Sequence, residues 1–162
     1  MDEPRIIVQT ADFDIEAEIA LMTSGKPNVG AVVTFTGVCR DEGGQLAALE
    51  LEHYGGMAES EIRSIVEDAA GRWPLTGVSV IHRYGKMKPG DRIVLVATAS
   101  EHRQAALEAA GFLMDFLKSR APFWKKEHMR DGSEGDWVAA AAHDDEAAAR
   151  WNETPKPVAK RR

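Results

Sequence analysis

The chain has one cysteine, Cys39, in 162 residues, so no internal disulfide can form. It has no apolar run approaching the roughly 18–20 residues of a membrane span. Its start, Met1-Asp2-Glu3-Pro4-Arg5, is acidic and lacks the apolar stretch of a signal peptide. Together these features predict a cytoplasmic protein without membrane association. There is no Gly-rich P-loop, no G-x-G-x-x-G, no H-E-x-x-H, no C-x-x-C and no G-x-S-x-G elbow, which removes the common nucleotide, zinc-protease and serine-hydrolase classes. Five histidines (His53, His82, His102, His128 and His143) are scattered without ligand spacing, so neither a metal nor an organic cofactor is expected. No internal repeat is evident, and 14 Gly and 7 Pro are too few for a low-complexity or collagen-like chain.

What is present is an ordinary globular composition, 44% hydrophobic and 28% charged, long enough to bury a core without staples. The net charge of −6 is unevenly spread. The segment Asn152 to Arg162 carries Lys156, Lys160, Arg161 and Arg162 against Glu153, leaving −9 on residues 1–151 (16 Lys+Arg against 25 Asp+Glu). So acidic a body is a poor general nucleic-acid binder, and its basic clusters need a local explanation. One domain over 1–151 and a disordered basic tail over 152–162 are expected.

The pattern along the chain mixes strands and helices without a strict βαβ rhythm, which predicts an α+β fold. Ile6-Ile7-Val8 reads as a strand, and Asp12 to Met22 as a short helix closed by the turn residues 23–28. Gly30 to Cys39 is β-branched and apolar, hence a buried strand, followed by a polar loop at Asp41 to Gly44. Leu46 to Tyr54 alternates like a half-buried strand. Ile62, Ile65, Val66, Ala69 and Trp73 mark one helix face, closed by Pro74. Gly77 to Tyr84 and Arg92 to Ala99 are strands joined by a loop through Lys86 to Asp91. Ser100 is the expected N-cap of a long helix to about Arg120, with Ala106, Ala109, Ala110, Leu113, Phe116 and Leu117 facing the core. Phe123 to His128 and Asp136 to Ala140 are expected to pair as strands, and Asp144 to Trp151 to form a helix.

The candidate chemistry lies in cations beside apolar elements. Lys118 and Arg120 sit in a helix's last turn, where they complement the dipole, and Lys125 and Lys126 read as solvated strand residues. His102 and Arg103 are different: cations in a first turn oppose the dipole, and an anion held there would explain them. Cys39 beside Arg40 is either an activated thiol or a small buried hydrophobe at a strand end, and the second reading is favoured.

These residues fall in blocks: Val33-Thr34-Phe35-Thr36-Gly37-Val38-Cys39-Arg40, Leu51-Glu52-His53-Tyr54 with Gly56-Met57, Arg72-Trp73-Pro74-Leu75, Ile81-His82-Arg83-Tyr84-Gly85, and Lys118-Ser119-Arg120-Ala121-Pro122-Phe123-Trp124-Lys125-Lys126-Glu127. In order and spacing they resemble the large, catalytic subunit of molybdopterin synthase, the MoaE family, over about Arg5 to Trp151. The resemblance implies an α/β hammerhead core with a small additional antiparallel β subdomain. It implies a sulfurtransferase that converts cyclic pyranopterin monophosphate into the molybdopterin dithiolene. It implies as sulfur donor the C-terminal Gly-Gly thiocarboxylate of a small ubiquitin-like subunit, in a heterotetramer built on a homodimer of large subunits. Its catalytic positions match Lys118 and Lys125, and its substrate-binding positions match Phe35, Val38, Cys39, Arg40, His102, Arg103, Lys118, Lys125, Lys126 and Glu127. Cys39 stands where an aliphatic residue is common, and Ala141 near an arginine that in some members reaches a neighbouring chain's site.

The physical logic agrees: transfer between an anionic donor and a phosphate-bearing acceptor needs cationic surroundings. Arg40, His102 and Arg103 are expected to hold the phosphate. Lys118 and Lys125 are expected to orient the donor carbonyl and assist proton transfer, and Glu127 to orient Lys125 from two residues away on one strand face. A continuous helix from Ser100 to Arg120 places Arg103 and Lys118 15 residues apart, roughly 22 Å along its axis, so a shared site requires two copies of the chain. The competing readings are a non-catalytic subunit docking a ubiquitin-like carrier, and an anion-binding regulatory or RNA-binding module, which the acidic body disfavours.

Overall fold

In a computed structural model, residues 1–41, 43–139 and 142–152 are described. The apolar runs of the sequence become a four-stranded sheet, in the order β1 (Arg5–Gln9), β4 (Leu75–Arg83), β6 (Arg92–Ser100), β2 (Ala31–Val38). β1 runs parallel to β4, while β4 and β2 are antiparallel to β6. Both faces of this sheet are covered, because alternate residues of β4 and β6 are apolar on either side. Val78, Val80, Val94 and Val96 face α2 (Met57–Arg72) and α3 (Arg103–Arg120), meeting Ile62, Ile65, Val66, Ala69, Ala109, Phe112, Leu113 and Leu117. Ile81 and Leu95 face the other way, toward Phe13 and Ile15, and Ala97 and Ala99 pack with Met22; these partners flank or belong to α1 (Ile15–Thr23). Asp14 caps α1, its side chain accepting from the Ala17 amide.

A second, fully antiparallel sheet is built from β5 (Gly85–Met87), β3 (Leu46–His53) and β7 (Phe123–Met129). The chain is therefore α+β, with a central sheet and an additional small β subdomain. α4 (Ala142–Ala149) and a short 3₁₀ turn over Arg150–Asn152 close the described chain. Trp151 Nε1 donates to Asp115 at 2.6 Å, which anchors this end on α3. No helix among the described residues is long and apolar enough to cross a membrane.

Several local expectations change. Ser100 is not the N-cap of α3: it ends β6, its hydroxyl donates to the Pro74 carbonyl at 2.8 Å, and His102 is the residue before the first helical turn. The strand takes Ser100 because the buried hydroxyl already has an acceptor there. Phe112, absent from the expected helix face, is almost fully buried, while Phe116 is only partly covered. Trp73, Trp151 and Phe116 surround Phe112 with ring centroids at 4.6–5.6 Å, widening the buried stripe. The expected loop at Lys86 contains β5, which pairs with Leu49–Leu51. Asp136 to Val138 forms no continuous strand; single bridges join Lys125 to Val138 and His128 to Glu134. Ala140, Ala141 and the tail from residue 153 lie outside the described residues.

Candidate active site

Where the last turn of α3 meets the small sheet and the end of β2, a cavity of about 190 Å³ opens. Its walls are mostly aliphatic, among them Val38, Leu49, Leu51 and Leu117, and two lysines reach it from different elements: Lys118 from α3 and Lys125 from β7. The register explains the choice of lysine on β7. Lys125 stands opposite Leu51 and Glu127 opposite Leu49, so these residues share the face turned to the cavity. Lys126 points the other way.

The two cavity lysines differ electrostatically from their neighbours. Among the described residues neither has a carboxylate partner or a side-chain hydrogen bond. Nearby cations are neutralised: Arg120 Nε lies 2.7 Å from Glu61 with Asp68 at 3.4 Å, and Lys126 Nζ lies 2.9 Å from Glu134. The Glu134 contact holds the Lys126 ammonium above the ordinary lysine range and places it 5.6 Å from the Trp137 ring. Two like charges facing one apolar cavity without counter-ions are unfavourable when it is empty and attract an anion.

The other expected site residues divide. Phe35 and Val38 line the same cavity as Lys118 and Lys125. Arg40 is exposed just beyond the end of β2. Cys39 is buried, and desolvation together with the Asp91 charge pushes its thiol up from the ordinary range, so it is a core residue and not an activated nucleophile. Glu127 shares the Lys125 face but makes no ion pair with it among the described residues, so the orienting role does not follow from the geometry. Lys126 is engaged with Glu134 on the opposite face, away from the cavity.

His102 and Arg103 lie at the opposite end of α3, both exposed. The helix is continuous from Arg103 to Arg120, so roughly 22 Å separates Arg103 from Lys118 along the axis. One chain does not bring them into one site. His102 instead lines a second depression with Asp2, Lys26, Asn28 and Thr76.

Sequence reasoning missed one wall residue, His82. It lies in β4 and stacks on Phe123 with centroids 3.8 Å apart and planes within 12°. Its Nδ1 is 2.8 Å from the Arg83 carbonyl oxygen. Burial, opposed by that hydrogen bond and aided by the Lys118 and His53 charges, lowers its pKa to about 4. The sequence signals were its alternation with apolar β4 residues and its place in the Ile81–Gly85 block of the family resemblance, neither of which assigned it a role. The segment that walls the far side, Val138-Ala139, is held by paired backbone bonds between Lys125 and Val138 at 2.9 and 2.8 Å and by Gly135 N–H to Glu127 O at 2.9 Å.

A family model described as MoaE protein matches residues 8–120. The chain is 64% identical over 148 residues to the molybdopterin synthase catalytic subunit of Mesorhizobium japonicum, a match covering 91% of this chain and 93% of that one. It is 46% identical over 153 residues to the molybdopterin synthase catalytic subunit of Escherichia coli K12, covering 93% and 100%. Among solved structures, the molybdopterin biosynthesis MoaE protein from Burkholderia ambifaria superposes with a TM-score of 0.81 at 44% identity, covering 94% of this chain and 100% of that one.

Proposed function

The chain belongs to the MoaE family, and from that premise we propose how its own residues carry out sulfur transfer in molybdenum cofactor biosynthesis. The protein is an enzyme, a sulfurtransferase that works with a small sulfur-carrier partner. In the proposed reaction the thiocarboxylate at the partner's Gly-Gly end enters the cavity between Lys118 and Lys125, and its sulfur passes to cyclic pyranopterin monophosphate. The observation that carries this reading is the pair of ammonium groups converging on one narrow apolar cavity that no carboxylate lines among the described residues.

Each residue has a physical task. The two ammoniums offset the charge of the thiocarboxylate while its sulfur bonds to the acceptor. They also stabilise the oxyanion that develops when water then attacks the carbonyl of that thioester, breaking the C–S bond and leaving the carrier's tail a carboxylate. A low-dielectric wall of Leu49, Leu51, Val94 and Leu117 strengthens that attraction. Phe35 and Val38, both large and exposed at the mouth, supply apolar contact. Arg40, just outside, holds the acceptor's phosphate. His102 and Arg103 of a second copy complete the phosphate site, because within one chain they are a helix length away. Lys126 and Glu127 act at one remove: the Lys126–Glu134 pair and the Glu127 main chain hold the segment that walls the cavity. The working assembly is a homodimer of this chain within a heterotetramer.

Reconstitution is the test. The protein is mixed with thiocarboxylated small subunit and cyclic pyranopterin monophosphate, and dithiolene product is measured beside Lys118→Ala. Turnover that collapses in the variant is expected. A stable complex with the small subunit but no turnover would mean a carrier-docking protein instead.

A further inference from the structure

The cavity is asymmetric in its hydrogen bonding. Among the described residues its side chains offer two strong donors, Lys118 and Lys125, and a single nitrogen or oxygen acceptor, the His82 imidazole; the rest of that lining is hydrocarbon or thioether. A ligand that fills it must therefore present an anion to the lysines and an N–H or O–H to the histidine.

The state of that imidazole is fixed by its surroundings. The Arg83 carbonyl only accepts, so the nitrogen 2.8 Å from it, Nδ1, carries the hydrogen. In a neutral ring Nε2 is then a bare lone pair. Among the described residues Nε2 has no hydrogen-bond partner, although the ring lines the cavity. Stacking on Phe123 fixes the ring plane, and the Phe123 ring is itself braced by His53, which in turn meets Tyr84 edge-on. The charged and titratable groups around it, Lys118 from α3, Lys125 from β7 and His53 from β3, are cationic or basic, and burial acts in the same direction. A neutral acceptor is held beside two cations.

At about 190 Å³ the cavity is smaller than the roughly 300–1,000 Å³ of sites that enclose drug-sized ligands. It suits a chain end better than a whole pterin nucleotide. An extended peptide terminus without side chains supplies both required groups, one anionic end and peptide N–H donors close behind it. We propose that His82 is a binding residue for the sulfur donor, its Nε2 accepting a hydrogen bond from a backbone N–H in one of the last two peptide units of the partner's C-terminal tail. This rests on the reading that the cavity receives that tail. It adds the group that sets how far the tail enters and which way its carbonyl turns, which two mobile lysines alone do not fix.

The test is a double-mutant cycle on binding. The probe is the small subunit with an intact Gly-Gly carboxylate terminus, and two semisynthetic forms in which one of the last two peptide bonds is an ester, which removes a single N–H. Affinities are measured by calorimetry against wild type, His82→Phe, which keeps the stack and removes the acceptor, and His82→Gln, which keeps an acceptor. One ester is expected to weaken binding to wild type about tenfold, and His82→Phe to weaken the intact probe by a similar factor. That ester then costs nothing further in His82→Phe, and His82→Gln recovers most of the affinity. Equal binding of all three probes by wild type overturns the assignment without any variant needing to fold. Additive losses in the cycle overturn it too, because they mean His82 acts only on structure. So does unchanged tail affinity in His82→Phe with a raised KM for the pterin, which would assign the acceptor to the small molecule. Failure of wild type to bind the intact probe refutes the reading of the cavity itself.

Discussion

Protonation of His82 offers a quantitative check on the cavity wall. Its pKa in the folded protein is about 4 against an ordinary value of 6.5. The folded state therefore binds fewer protons than the unfolded chain between these values, and stability falls as the pH drops through that window. It is fully present above about pH 6.5 and lost progressively toward pH 4. At pH 5 the unfolded chain holds nearly one proton at this site and the folded chain about a tenth of one, which amounts to a loss of about 2 kcal/mol relative to pH 7.5, rising to about 3 kcal/mol below pH 4. The depressed carboxylates Asp2, Asp12, Asp131 and Glu134 act in the same direction, but they titrate below their ordinary values of 3.8 to 4.5 and contribute little at pH 5. Urea unfolding followed by tryptophan fluorescence at pH 7.5 and 5.0 measures the effect in wild type and in His82→Phe. The variant loses the Arg83 hydrogen bond at both pH values, so that cost cancels in the difference. Wild type is expected to lose about 2 kcal/mol more than the variant between the two pH values. Equal losses, with equal urea dependence, would show that the imidazole is solvated and refute the neutral acceptor.

Other perturbations test the remaining links. Lys118→Ala and Lys125→Ala are each expected to lower turnover about 10²-fold or more with little change in melting temperature; turnover within threefold of wild type would remove the lysine from the chemistry. Phe112→Ala empties the space between Trp73, Trp151 and α2 and should cost about 3–5 kcal/mol in chemical unfolding, so a loss under 1 kcal/mol contradicts the packing. A Cβ at Gly30 would stand 2.1 Å from the Glu101 carbonyl oxygen. Gly30→Ala should therefore destabilise by about 1–3 kcal/mol and disturb the His102-Arg103 end of α3, whereas unchanged stability would place that backbone elsewhere. Glu134→Ala releases Lys126 and His128 from the segment that walls the cavity, and hydrogen exchange at the Val138 amide should accelerate; unaltered protection would mean the backbone bonds alone hold it.

The sequence by itself determined the elements whose pattern is local. The β-branched run from Gly30 to Cys39 reads as a buried strand; it is a strand, but at the sheet edge with Phe35 and Val38 exposed, whereas Ile62, Ile65, Val66 and Ala69 recur at helical spacing and form the buried face of α2. The length of α3 was legible too, and with it the separation of Arg103 from Lys118. The MoaE resemblance was legible because its blocks lie in order along the chain. What only tertiary structure decided is which face meets which neighbour. Period-two alternation in Phe123–Met129 separates Lys125 and Glu127 from Lys126 and His128, but not which pair looks into the cavity; the register with Leu49 and Leu51 does that. The sequence alone placed His82 in a block of the family resemblance but gave it no role among five scattered histidines. It becomes a neutral acceptor only where β4, α3 and β7 converge, because burial, the Phe123 ring and the Lys118 charge come from segments distant in sequence. The β5 strand is only Gly85–Met87, too short for any periodicity, and exists because β3 offers it an edge. Local patterns record a residue's own backbone, whereas the charge state and partners of a side chain are set by whatever the fold packs against it.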